Sequence, residues 1–134
     1  MPEAHYTYNY AIIRLVPRVD REEFINVGVI LSCPAKTFLA ARIELDEQRL
    51  LALDPAPDLE QIKCHLATIP AICAGGPTAG PIGALPQPRR FEWLVAPRST
   101  IIQMSPVHSG RCTDPAAELQ SLLEAMVRFN SPST

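Results

Sequence analysis

Proline recurs along this chain too often to allow long uninterrupted elements. Fourteen of the 134 residues are proline, against a usual frequency of about 5%. Each removes a backbone donor and restricts φ, so it ends strands and disturbs helices. Pro17, Pro34, Pro55 and Pro115 accordingly fall at the boundaries of predicted elements. Pro70 alone falls inside one. Nine prolines lie between residues 55 and 106, and four of these lie between Gly75 and Arg90.

Between the prolines the apolar pattern defines short elements. Tyr6 to Val16 reads as a strand, with Tyr6, Tyr8 and Tyr10 in one phase. Ile25 to Cys33 alternates. Ile25, Val27, Val29, Leu31 and Cys33 are expected on one face, with Asn26, Gly28, Ile30 and Ser32 on the other. Thr37 to Ile43 is its antiparallel return strand across a Pro34 turn. Asp46 to Leu53 is a short helix candidate. Asp58 caps a longer helix with the stripe Leu59, Ile62, Leu66, Ile69 and Cys73, which Pro70 is expected to kink or end. Gly75 to Arg90 is predicted as a charge-poor surface loop, followed by a short helix over Pro88 to Val95. Ser99 to Met104 reads as a fourth strand and Ser105 to Thr113 as a loop. Asp114-Pro115 opens a C-terminal helix whose stripe is Leu119, Leu122, Leu123, Met126 and Val127.

These elements predict a single α+β domain over residues 1–134. Its core is one layer of about four mostly antiparallel strands, with two main helices packed on one face. Apolar residues make up 47% of the chain and the net charge is −2, which excludes a disordered chain. The charge balance also lacks the basic footprint of a general nucleic-acid binder. The N-terminus has no signal-like apolar region and no run approaches the ~20 residues of a membrane span, so a cytoplasmic setting is expected. The four cysteines form no C-x-x-C pair and read as small buried hydrophobes. Cys64 and His65, adjacent on the long helix, are expected to lie one exposed and one buried. No metal site and no cofactor are expected.

No catalytic signature is present: there is no G-x-S-x-G, H-E-x-x-H or Walker loop. Two groups of residues stand out instead. The first is Arg14, Glu23, Asn26 and Arg42, a candidate polar site on the sheet in which Glu23 can pair with Arg14 or Arg42. Gly28 beside them suggests a bulge or a close backbone approach. The second is Arg89, Arg90, Trp93 and Arg98, with Arg111 and Asp114; arginine and tryptophan are favoured at interface hot spots.

Three functions follow as expectations. The leading one is an accessory protein-interaction domain without catalytic activity. The alternative is a sheet-surface binder of single-stranded nucleic acid through the tyrosine phase, or of a small anionic ligand. The third is a small enzyme using Glu23 and His108 as acid–base partners.

The segments Tyr10-Ala-Ile-Ile-Arg14, Glu23-Phe-Ile-Asn-Val-Gly-Val-Ile-Leu31, Arg90-Phe-Glu-Trp-Leu-Val-Ala-Pro-Arg-Ser99, Ile101-Ile-Gln-Met-Ser-Pro106 and Asp114-Pro115 carry a family resemblance. The chain resembles the bacterial family catalogued as domain of unknown function 3037. The resemblance implies a stand-alone small bacterial protein, brings no catalytic residues, and points to a HipA-like kinase-fold neighbour as a candidate protein partner.

Overall fold

The computed structural model describes residues 4–98 and 100–128. β1 (Tyr6–Leu15), β2 (Ile25–Cys33) and β3 (Phe38–Ile43) form a meander. Then come α1 (Glu47–Leu53), α2 (Leu59–Ala74), α3 (Gly80–Gly83), α4 (Gln87–Val95), β4 (Ile102–Met104), β5 (His108–Cys112) and α5 (Pro115–Met126). The strands make one antiparallel sheet in the order β3-β2-β1-β4, and β5 also pairs with β1, beyond β4. The α+β class and the antiparallel sheet are as the sequence predicts, with five strands among the described residues rather than four.

The layering differs from expectation. The two main helices lie on opposite faces of the sheet, not on one. Ala11, Ile13, Leu15 and Ile30 pack with Ile62, Leu66, Ile69 of α2 and Phe91, Leu94 of α4. Tyr8, Val29, Leu31 and Cys33 pack instead with Leu119, Leu122 and Leu123 of α5. Both faces of β1 are apolar, with Ala11, Ile13 and Leu15 toward α2 and Tyr6, Tyr8 and Tyr10 toward α5, and in β2 a β-bulge divides the apolar residues between the same two faces. Gly28 faces Ile13 but Asn26 faces Arg14, so Val27 is an extra residue in β2. The bulge reverses the facing of the strand. Ile25 and Val27 turn toward α2, whereas Val29, Leu31 and Cys33 turn toward α5. The predicted single face therefore splits in two, and both halves are buried.

Gly28 is fitted to this kink. A Cβ there would stand 2.6 Å from the Arg42 carbonyl oxygen and 3.1 Å from Ile13 and Ile43 side-chain carbons. Both expectations for this glycine, a bulge and a close backbone approach, hold.

β5 occupies part of the predicted loop Ser105 to Thr113. Its sequence lacks apolar alternation, and it is held by its pairing with β1, where Gly110 leaves room for the Tyr8 ring. The Tyr8 ring lies where a Gly110 Cβ would be, 2.6 Å away. Pro106 separates β5 from β4, so the two make one interrupted edge strand along β1. Ser105 ties the junction: its hydroxyl accepts the Ile12 N–H at 2.8 Å and donates to the Pro106 carbonyl.

The helices follow their caps. Asp46, Asp58 and Asp114 side chains accept backbone N–H groups at the starts of α1, α2 and α5. Pro70 does not end α2, which continues to Ala74. The stripe Ile62, Leu66, Ile69, Ile72 and Cys73 is buried and offsets the single lost hydrogen bond. The Gly75 to Arg90 segment is not a plain loop but carries α3 and the start of α4. Met126, expected in the α5 stripe, is exposed. The start of the fourth predicted strand at Ser99 lies outside the described residues.

Candidate functional site

On the α5 face, Arg14 of β1 sits opposite Asn26 of β2 and Gln103 of β4, making a polar row across three strands. The row lies beyond the C-terminal end of α5. Asn26 Nδ2 donates to the Met126 carbonyl at 3.0 Å, satisfying one of the orphan acceptors of that helix end. Arg49 donates to the next one, Val127 O. The Arg14 guanidinium lies 4.3 Å over the Phe24 ring, within cation–π range. Its Nε is buried with no acceptor, and Asn26 Oδ1 is buried with no donor. Arg14, Val16, Val19, Glu22, Phe24 and Gln103 line a cavity of about 290 Å³.

The structure thus unites Arg14 with Asn26 and separates the other two members of the predicted group. Glu23 is exposed and pairs with Arg21, its neighbour in the β1–β2 turn, rather than with Arg14 or Arg42. Arg42 is exposed on β3 opposite Val29, beyond β2 from Arg14.

The Arg/Trp group divides as well. Arg90 is a structural clamp: its guanidinium donates to Leu85 O, Ile72 O and Cys73 O, holding the Gly75 segment to the end of α2. Arg89 is exposed on α4. Arg111 is exposed on β5 opposite Thr7, and Asp114 is occupied as the α5 cap. Trp93 and Arg98 remain together. Trp93 is 40% exposed, and Arg98 stacks over its ring at 4.2 Å. Arg98 also donates to the Trp93 and Leu94 carbonyls at the end of α4. With His65, Thr68, Ile102 and Met104 they line a cavity of about 160 Å³.

The two surviving pairs meet at β4. Arg14 with Phe24 flanks it on the α5 face, and Arg98 with Trp93 flanks it on the α2 face. Val16 N–H bonds Ile101 O and Ser105 N–H bonds Ile12 O, so the alternate residues Ile102 and Met104 aim their backbone groups away from β1. Among the described residues no strand pairs on that side. The Ile102 carbonyl accepts the Thr100 hydroxyl, which partly closes the edge. Phe24 and Gln103 fall outside both residue groups that the sequence marks; a lone aromatic within a charged turn is the available signal for Phe24.

The other candidates do not assemble. Tyr8 is buried under α5, with Tyr6 and Tyr10 packed on the same cluster, so the open aromatic face that base stacking needs is covered. Burial, with Glu118 nearby, pushes the Tyr8 hydroxyl up to about 12. His108 stacks on Tyr10 at the far part of β1 from the turn that holds Glu23. Cys64 and His65 are both exposed, and Cys33, Cys73 and Cys112 are buried. Burial raises the Cys73 thiol to about 12 and also raises that of Cys112, beside Cys33. Among the described residues, no three His, Cys, Asp or Glu side chains gather where a metal ion would sit. No helix there is long and apolar enough to cross a membrane.

The fold and site define a three-layer α+β domain with an interrupted sheet edge framed by two arginine–aromatic pairs. A family model described as a protein of unknown function (DUF3037) matches residues 10–127, and the chain belongs to that family. No curated protein and no solved structure matches it.

Proposed function

We propose that this is a protein-interaction domain without chemistry of its own, which docks a segment of a partner along β4. The observation that carries the reading is the convergence of Arg14–Phe24 and Trp93–Arg98 on the two sides of that edge. Edge strands offer backbone groups to an added strand, and flanking aromatic and arginine side chains supply anchors. Val107, exposed just past β4, extends the apolar rim. The setting we infer is the bacterial cytoplasm. The family resemblance makes a HipA-like kinase-fold protein the first partner to try.

Affinity capture from the native host tests this with the wild type, Trp93→Ala and Leu51→Ala. Leu51 is a comparably exposed apolar side chain on α1, away from β4. A stoichiometric partner retained by Leu51→Ala and lost by Trp93→Ala is expected. A clean monomer with no stoichiometric partner would overturn the reading. A small anionic ligand is the second reading, favoured by the unpartnered Nε of Arg14.

A further inference from the structure

We propose that the Arg14 cavity recognises a carboxylate, supplied by a Glu or Asp side chain of the segment that docks along β4; this rests on the docking reading above. Arg14 has no acidic partner within ion-pair distance among the described residues. Its guanidinium is already oriented by Phe24, and its buried Nε donates to nothing. A guanidinium with no acidic partner at contact distance is poised for a charge-assisted pair, and an incoming carboxylate would make it through the part of Arg14 that lines the cavity.

The charge count selects the ligand. Glu22 lines the cavity beside Arg14 and already offsets part of its charge, so the site tolerates a single negative charge at most. A dianionic phosphate would meet Glu22 with a single cation to offset it. The volume of about 290 Å³ lies at the small end of ligand pockets, which start near ~300 Å³. That suits a side chain better than a cofactor. Register supplies the reach. Arg14 faces Gln103 across the β1–β4 pair. A residue at the equivalent position of an added strand would stand on the same face, about 4.8 Å further out.

The test is an NMR titration of the full, ¹⁵N-labelled chain. The probes are acetyl-Thr-Val-Glu-Val-Thr-amide, its Gln counterpart, glutarate and inorganic phosphate. The Glu peptide is expected to move the Arg14 Nε–H and the Ile102 and Met104 amides, and to bind about tenfold more tightly than the Gln peptide. Gln103→Glu, which puts a carboxylate opposite Arg14 at a half-buried edge position, is expected to erase that preference while keeping the fold; Arg14→Gln should do the same. Equal binding of both peptides at β4 leaves docking standing and overturns the carboxylate site. A response of Nε–H to glutarate with β4 amides silent to both peptides overturns docking and the side-chain source together, leaving a free acid as the occupant. Tighter binding of phosphate than of the Glu peptide, or no response to any probe, also overturns the proposal.

Discussion

Gly28→Ala tests whether the close approach of β3 to β2 beside the bulge requires glycine. The added methyl would meet a backbone oxygen, Arg42 O, at 2.6 Å, and two packed isoleucine side chains at 3.1 Å. The isoleucines can yield slightly. The carbonyl cannot without moving β3 away from β2. Overpacking of this kind costs ~1–3 kcal/mol, and a backbone clash places it in the upper half. The substitution recovers ~0.4–1 kcal/mol by restricting the unfolded chain. The net loss is then about 2 kcal/mol. An unfolding entropy of ~2.1 cal/mol/K per residue converts this to a fall in Tm of about 7 °C for a chain of this length. Thermal unfolding followed by circular dichroism, with urea denaturation at 25 °C, measures it. A Tm within about a degree of wild type, or above it, would refute the claim that β2 needs glycine here.

Other substitutions probe the remaining contacts. Arg90→Lys should cost ~1–2 kcal/mol, because a lysine cannot reach three carbonyls in one plane, and should open the Gly75 to Leu85 segment to limited proteolysis. Arg89→Lys, on the exposed side of α4, should change neither. Asn26→Ala should cost ~1 kcal/mol in urea denaturation, no more, since it removes the bond to Met126 O together with the orphaned Oδ1. Native protein should expose one thiol to an aromatic disulfide reagent, Cys64, with Cys33, Cys73 and Cys112 reacting only on unfolding. The Cys73 thiol is raised by burial from 9.0 to about 12, so the fold favours its neutral form. That contribution is complete below about pH 9 and is lost as pH rises from there towards 12. Cys73→Ala should flatten this part of the stability profile, and an unchanged slope would count against it.

What could be read from the sequence was what is decided locally. Asp114-Pro115 caps and starts α5 within one turn, and Asp58 does the same for α2, so both helices were legible. The limits of β2 were legible too, because apolar residues fill Ile25 to Cys33. Its facing was not, since one bulged residue at Val27 reverses it while Val27, Val29, Leu31 and Cys33 keep a single phase in the sequence. β5 was hidden for a related reason: His108-Ser-Gly-Arg-Cys112 is held by pairing with β1, a partner about a hundred positions away. Arg14, Trp93 and Arg98 were recognisable by residue type. Their union at β4 depends on register, which also brought in Gln103 and excluded Glu23 and Arg42.

The extra residue in β2 acts on side-chain facing as a frameshift acts on codons. Everything after Val27 in that strand is read in the other phase, and α5 is built to the shifted phase while α2 is built to both. The two helical layers are therefore locked to each other through a parity, although they never touch through the sheet. Length changes upstream and downstream of Val27 would have to come in compensating pairs, so this strand is constrained in count as well as at Gly28.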